Sequence, residues 1–321
     1  MNPEPLVTVI TPVYNGADYL DACIRSVQAQ SYPHWRYKII DNQSTDGSLE
    51  IASRYAAGDS RIEVSRNTRF LDLMDNWNHA LSQLDADARY CKVVHADDWL
   101  FPECLAEMVA LAEANPGVGV VSAYRVEEDR PGLGQRLPYG QAVTPGQEVC
   151  RGELENRMFV LGSPSNILLR ADKMRDQRPF YDAALLHADK DAALRLLMET
   201  DLGFVFKVLT FTRRHNESQT SKSRLFDTRR SEDLLLLRRY APRLYSESQA
   251  RQIFEGRLNS HYRFLARALF ERKNKAFWDY QRDILARAEA PFRYSRLIRA
   301  AAVEGLNIRD TLKALRGAWR T

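Results

Sequence analysis

The chain has 321 residues, 45% of them hydrophobic and 27% charged, enough for one large domain or two modest ones with substantial cores, and it carries no low-complexity tract. No apolar run approaches the roughly 20 residues of a membrane span, and the opening Met1-Asn2-Pro3-Glu4-Pro5 lacks a basic segment followed by an apolar one, so no signal peptide is expected. A net charge of +4 conceals −7 over residues 1–223 and +11 over residues 224–321, which predicts a boundary near Thr220–Leu225, with one domain over 1–223 and a basic, arginine-rich helical extension over 224–321.

Taken in order, Leu6–Ile10 is a β-branched run stopped by Thr11-Pro12. A helix follows from about Asp18 to Gln30, with Leu20, Cys23, Ile24 and Val27 on one face. Tyr37–Ile40 makes a second strand and ends in Asp41-Asn42-Gln43-Ser44-Thr45-Asp46-Gly47, a loop able to cap a helix near Ser48–Ala57. Arg61–Val64, Tyr90–Val94 and Gly117–Ala123 read as further strands, and Leu73–Leu84 and Glu103–Ala114 as helices. Residues 124–165 are turn-rich and read as an irregular insertion of the kind that forms binding segments or lids. Asn166–Arg170 is a strand, Asp182–Thr200 contains a helix that buries Leu194, Leu197 and Met198, and Phe204–Phe211 is the final strand. Alternation of this kind implies an α/β fold, a mostly parallel Rossmann-like sheet flanked by helices. There is no G-x-G-x-x-G after the first strand and no G-x-x-x-x-G-K-[ST] anywhere, so dinucleotide and P-loop sites lose their main support.

The chemistry gathers at strand ends, where open α/β sheets bind ligands. His95-Ala96-Asp97-Asp98-Trp99 places two adjacent carboxylates behind Tyr90–Val94. Such a pair suits a hard divalent cation bound together with a substrate diphosphate. It suits equally a solvated turn in which Asp98 caps the helix beginning near Pro102. Asp41 can accept the imide N–H of a pyrimidine, or start the turn that follows it.

Five stretches in order resemble the family 2 inverting glycosyltransferases, which have the nucleotide-sugar-binding GT-A fold. They are Val7-Thr8-Val9-Ile10-Thr11-Pro12-Val13-Tyr14-Asn15-Gly16, Ile39–Gly47, His95-Ala96-Asp97-Asp98 in place of Asp-x-Asp, His187-Ala188-Asp189 in place of x-Glu-Asp, and Arg214-His215-Asn216-Glu217-Ser218. The match covers about residues 6–220. It implies an inverting, metal-dependent transfer from a nucleotide sugar, a UDP-sugar, to a hydroxyl of a saccharide or lipid-linked acceptor in surface polysaccharide assembly. The alternative is a non-catalytic nucleotide-sugar-binding or scaffolding subunit of a glycan assembly complex.

Carried over residue by residue, the resemblance assigns the donor nucleotide to Thr11, Pro12, Val13, Tyr14, Asn15, Asp41, Asn42 and Ser44. Donor sugar or diphosphate falls to Asn76, His95, Ala96, Asp98 and His215, and Mn²⁺ or Mg²⁺ to Asp97, Asp98 and His215. Asp189 becomes the general base, with Asp191 second, and Ser163, Ser165 and Ala188 border the acceptor. His95 stands where the family has Asp, and imidazole suits a transition metal better than Mg²⁺. Ala188 stands where the family has Glu. Asn76 lies on a helix placed near the donor sugar, whereas Trp77 taken alone reads as core.

The tail reads as helices over Ser231–Tyr240, Ser246–Glu271, Lys275–Ala290 and Ile308–Arg320, with Leu258, Tyr262, Leu265 and Leu269 at helical spacing. A basic bundle of this kind either presents a solvated exterior or is drawn to anionic lipid on the inner face of the cell membrane. No nucleic-acid recognition motif is present, so nucleic acid is not expected as a partner. Cys23, Cys91, Cys104 and Cys150 have no C-x-x-C spacing and fit free thiols in the cytoplasm.

Overall fold

A computed structural model describes residues 4–127, 130–132, 137–213, 226–271 and 273–305. The chain divides into two compact units, residues 1–215 and 216–321.

The first unit is built on a ten-stranded mixed sheet flanked by helices. β1 (Val7–Val13) is buried at every position, as its apolar content requires. It lies parallel between β2 (Trp35–Asp41) and β4 (Tyr90–Val93), and β2 lies parallel to β3 (Ile62–Arg66). The register sets Val13 beside Asp41 and Asp41 beside Arg66. The carboxyl ends of these strands therefore form one crest, and the loops that leave it are neighbours. α1 (Ala17–Gln28) buries Leu20, Cys23, Ile24 and Val27, the face its spacing predicts. α2 (Ser48–Gly58) starts at Gly47, whose φ of 89° is a left-handed conformation that glycine adopts without steric penalty.

After α3 (Leu73–Ser82) and β4, the chain forms the two-residue β5 (Trp99–Leu100), α4 (Cys104–Ala114) and the long β6 (Val118–Glu127). β7 (Arg130–Gly132) pairs with β6, and β8 (Val143–Thr144) pairs with the last strand. The described residues of 124–165 include more regular structure than an irregular insertion. β6 continues to Glu127, and α5 (Gly146–Leu154) buries Val149, Cys150 and Leu154. The 3-10 turn Pro164–Asn166 then leads to β9 (Leu168–Arg170), which sits antiparallel between β4 and β6. α6 (Ala171–Arg175), α7 (Ala188–Leu197) and β10 (Asp201–Thr212) complete the unit. β10 runs parallel to β6, and its end pairs Phe211 with Trp99 of β5. Beneath the crest, Lys92 of β4 is fully buried, and its Nζ donates to the Ile167 carbonyl at 3.3 Å.

The second unit is helical: α8 (Thr228–Leu244), α9 (Glu247–Phe270), α10 (Lys275–Arg287) and α11 over residues 294–305. Ser246 and Gln249 form a reciprocal capping box at the start of α9, and Asn274 caps α10. Leu258, Tyr262 and Leu265 are buried, whereas Leu269 is 44% exposed. The helix expected over 308–320 lies outside the described residues. Among the described residues no helix is long and apolar enough to cross a membrane.

Candidate functional site

The loop after β4 carries the acidic cluster. His95, Asp97 and Asp98 each offer one ligand atom, and these atoms lie within 4.8 Å of one another. Asp98 is 1% exposed and does not cap α4. Its Oδ1 accepts the backbone N–H of Arg213 at 3.0 Å, and its Oδ2 lies 3.6 Å from His95 Nδ1. Neither Asp98 Oδ2 nor His95 Nε2 finds a hydrogen-bond partner among the described residues. Burial pushes the Asp98 carboxyl above the ordinary carboxylate range; His95 opposes that shift and the negative charge of Asp97 adds to it. A carboxylate held dry beside a second carboxylate and an imidazole, with one oxygen unpartnered, is a donor set that a divalent cation fits.

The surroundings hold this loop in place. Ser165 Oγ, fully buried in the 3-10 turn, accepts the His95 backbone N–H at 2.9 Å. Cys23 of α1 donates to the His95 carbonyl at 3.4 Å. Gly16 lies so close to Ala96 that a β-carbon added to it would meet the Ala96 methyl at 3.3 Å and a Val13 methyl at 3.0 Å. Ser163 is half-buried at the head of the same turn as Ser165.

Beyond β1 and β2 lies a second cluster. Thr11, Pro12 and Val13 are buried, and Thr11 Oγ1 is engaged with the Tyr37 hydroxyl and the Val94 carbonyl, both at 2.8 Å. Asp41 is fully buried, with its carboxylate 3.2 Å from the Ser44 N–H and from Arg66 Nε. A pyrimidine reaching Asp41 therefore shares it with Arg66. Asn15 and Ser44 knit the two loops together: Asn15 N–H donates to Ser44 Oγ at 3.0 Å, and Thr45 N–H donates to Asn15 Oδ1 at 2.9 Å. Asn42 Oδ1 accepts from Asn67 Nδ2 at 2.8 Å and from Leu71 N–H at 3.0 Å. Tyr14 and Phe70 meet edge-to-face at 5.0 Å and are each about half exposed, at 51% and 52%.

Asp189 lies half-buried in the first turn of α7, directly after the fully buried Ala188. Asp191 is fully buried, 3.7 Å from Arg195. Burial, and after it the negative charge of Asp189, push the Tyr181 phenol well above its ordinary pKa. His215 lies outside the described residues, but the neighbouring Arg213 is placed beside the acidic loop, with Nε donating to the Asp97 carbonyl at 3.4 Å. Arg66, Phe70, Tyr181 and Arg213 escape the sequence reading because strand register and chain crossings, not local motifs, bring them to the site.

Comparison with known proteins bears on the fold and the family. The model of Glycosyl transferase family 2 matches residues 8–167. EpsE of Bacillus subtilis (strain 168), named provisionally as a glycosyltransferase, is 34% identical over 163 residues, which are 49% of this chain and 58% of EpsE. TuaG of the same strain, named provisionally as a teichuronic acid biosynthesis glycosyltransferase, is 40% identical over 97 residues, 30% of this chain and 38% of TuaG. The chain thus spans less than two thirds of the length of these two relatives. The uncharacterized protein MT1568 of Mycobacterium tuberculosis (strain CDC 1551 / Oshkosh) is 30% identical over 247 residues, 72% of this chain and 74% of MT1568. Among solved structures, residues 1-349 of S. aureus TarS in complex with UDP-GlcNAc superpose with a TM-score of 0.65 at 18% identity, covering 98% of this chain and 92% of that one. The mannosyltransferase PcManGT from Pyrobaculum calidifontis, in complex with GDP-Man and Mn2+, gives 0.56 at 16% identity, covering 95% and 88%. The fold is GT-A, and the chain belongs to glycosyl transferase family 2.

Proposed function

We propose that the chain is an inverting, metal-dependent glycosyltransferase that moves a sugar from a UDP-sugar to a hydroxyl of a saccharide or lipid-linked acceptor during surface polysaccharide assembly. The observation that carries this reading is the His95–Asp97–Asp98 cluster at the crest of the parallel strands, with Asp98 Oδ2 and His95 Nε2 unpartnered among the described residues. Asp97 and Asp98 would hold Mn²⁺ or Mg²⁺, with His95 beside them and His215 as a further ligand. When bound there, a divalent ion would neutralise charge developing on a departing nucleoside diphosphate.

The chain's own groups supply the remaining steps. Asp189, in the first turn of α7, takes the proton from the acceptor hydroxyl. The acceptor oxygen forms its bond to the anomeric carbon as the bond from that carbon to the diphosphate breaks, and the electron pair leaves with the nucleoside diphosphate. Asp41 and Asn42 receive the base, Tyr14 and Asn15 border the nucleoside, and Asn76 and Ala96 face the donor sugar or diphosphate. Ser163, Ser165 and Ala188 border the acceptor. Residues 224–321, with a net charge of +11, draw the protein to the inner face of the cell membrane.

Calorimetric titration with UDP, dTDP and GDP, each with Mn²⁺, Mg²⁺ or EDTA, tests the reading. Metal-dependent binding of one nucleoside diphosphate, lost in Asp97→Ala, is expected; no binding to any of them sinks it.

A further inference from the structure

Three consecutive residues of α3 reach three parts of the site. Asn76 is buried, and its Oδ1 accepts at 2.9 Å from Asn67 Nδ2, the amide that also donates to Asn42 of the nucleotide loop. Asn78 exchanges two hydrogen bonds with the Tyr181 backbone: its Nδ2 donates to the Tyr181 carbonyl at 2.9 Å, and the Tyr181 N–H donates to its Oδ1 at 2.8 Å. Between them, the Trp77 indole stands edge-to-face to the His95 imidazole, with centroids 4.8 Å apart and planes at 87°. It stands likewise to the Tyr181 ring, at 5.8 Å and 70°.

This is not the setting of a core tryptophan. Trp35, which is one, is 2% exposed. Trp77 is half-buried between polar chain neighbours, and its two ring partners are the imidazole of the acidic cluster and the tyrosine that feels the Asp189 charge. In the reaction proposed above, the leaving diphosphate belongs at the cluster and the incoming hydroxyl at Asp189, so the transferred sugar must occupy the space between them. Trp77 touches His95 at the first of these poles and Tyr181, whose phenol feels the Asp189 charge, toward the second.

We propose that Trp77 forms the wall of the donor-sugar subsite, the sugar ring of the nucleotide-sugar donor resting against the indole. This assignment rests on the glycosyltransferase reading. The negatively charged face of an aromatic ring attracts the weakly positive C–H groups of a sugar ring, and it does so in any sugar that shows such a face. Trp77 thereby fixes the plane of the sugar, while the two flanking asparagines fix α3 against the nucleotide loop on one side and the base-bearing segment on the other. The nucleobase, at the far end of the donor near Tyr14 and Phe70, does not touch it.

The test compares, by calorimetry with Mn²⁺, UDP against UDP-glucose, UDP-galactose and UDP-GlcNAc, and GDP against GDP-mannose. In Trp77→Ala the ratio of sugar-nucleotide to nucleoside-diphosphate affinity should fall about tenfold. Trp77→Phe should keep that ratio within about threefold, because a ring remains. Trp77→Leu, which keeps bulk without a π face, should behave like Trp77→Ala and serves should the alanine variant not fold. An unchanged ratio in Trp77→Ala and Trp77→Leu, with wild type still binding the nucleoside diphosphate, overturns the subsite and leaves the enzyme reading standing. Wild-type protein that binds no nucleoside diphosphate overturns both.

Discussion

Asp98 Oδ1 accepts the backbone N–H of Arg213 at 3.0 Å, joining the acidic loop to the end of β10 across 115 residues of sequence. One buried carboxylate thus holds a chain crossing with one oxygen and faces the cluster with the other, and the two tasks separate under substitution. Asp98→Ala leaves the Arg213 N–H without its acceptor and should lower stability by about 1–3 kcal/mol. Asp98→Asn keeps an amide oxygen for Arg213 and removes the charge, so it should unfold near wild type in urea while metal-dependent nucleotide binding weakens. Equal urea midpoints for the two variants would show that the crossing contributes nothing.

The base assignment is tested independently. Asp191 is fully buried near Arg195, whereas Asp189 remains half-buried on the same turn of α7. Asp189→Asn should lower transfer about 10²–10⁴-fold with little change in donor affinity, since a general base acts on the acceptor proton and does not hold the donor. Asp191→Asn should mainly cost stability. Kinetics beside calorimetry decides, and transfer surviving in Asp189→Asn removes it from the role.

Much of this was legible in the sequence, and the gaps have identifiable causes. β1, β2 and β4 announce themselves as short buried β-branched runs, and α1 by four apolar residues at helical spacing. α5 hides because only Val149, Cys150 and Leu154 mark its inner face, amid Gly146, Gly152 and four polar residues, within a stretch rich in turn signals. The acidic loop is visible as paired carboxylates. Sequence alone leaves open whether Asp98 is a solvated cap or a dry ligand, because burial comes from Arg213 and β10, far along the chain. Arg66 reaches Asp41 through the β2–β3 register, which no local pattern encodes. Trp77 looks like core until His95 and Tyr181 are seen beside it.

In the second unit, His261 of α9 is 1% exposed, and neither ring nitrogen has a hydrogen-bond partner among the described residues. Burial first, and the positive charge of Arg230 on α8 second, push its pKa down to about 4 from an ordinary value of 6.5. Between those values the unfolded chain takes up a proton that the folded chain refuses. Stability is therefore full above about 6.5 and falls as pH drops toward about 4, by about 3 kcal/mol in all. His261→Phe should flatten this dependence. Urea unfolding of the full chain, followed across that window for both proteins, checks it; equal slopes would exclude His261 as the cause.

The basic unit also carries an outward apolar stripe. On α11, Tyr294 and Ile298 are 66% and 68% exposed, while Leu297 and Ala300 are buried. The spacing of Tyr294 and Ile298 places them one turn apart on one face, next to Arg299. A helix that is apolar inward and outward, in a segment with a net charge of +11, suits an anionic bilayer. On such a surface each basic residue would add about 1 kcal/mol, and the exposed apolar side chains would enter the headgroup boundary. The full chain should co-sediment with vesicles rich in phosphatidylglycerol and not with pure phosphatidylcholine, and added salt should release it. Ile298→Glu should weaken that binding at least about tenfold, the effect of losing the burial of one isoleucine side chain at about 1.5–3 kcal/mol. Binding that survives both salt and Ile298→Glu would point to a different surface, and no binding to anionic vesicles would return the basic exterior to a solvated role.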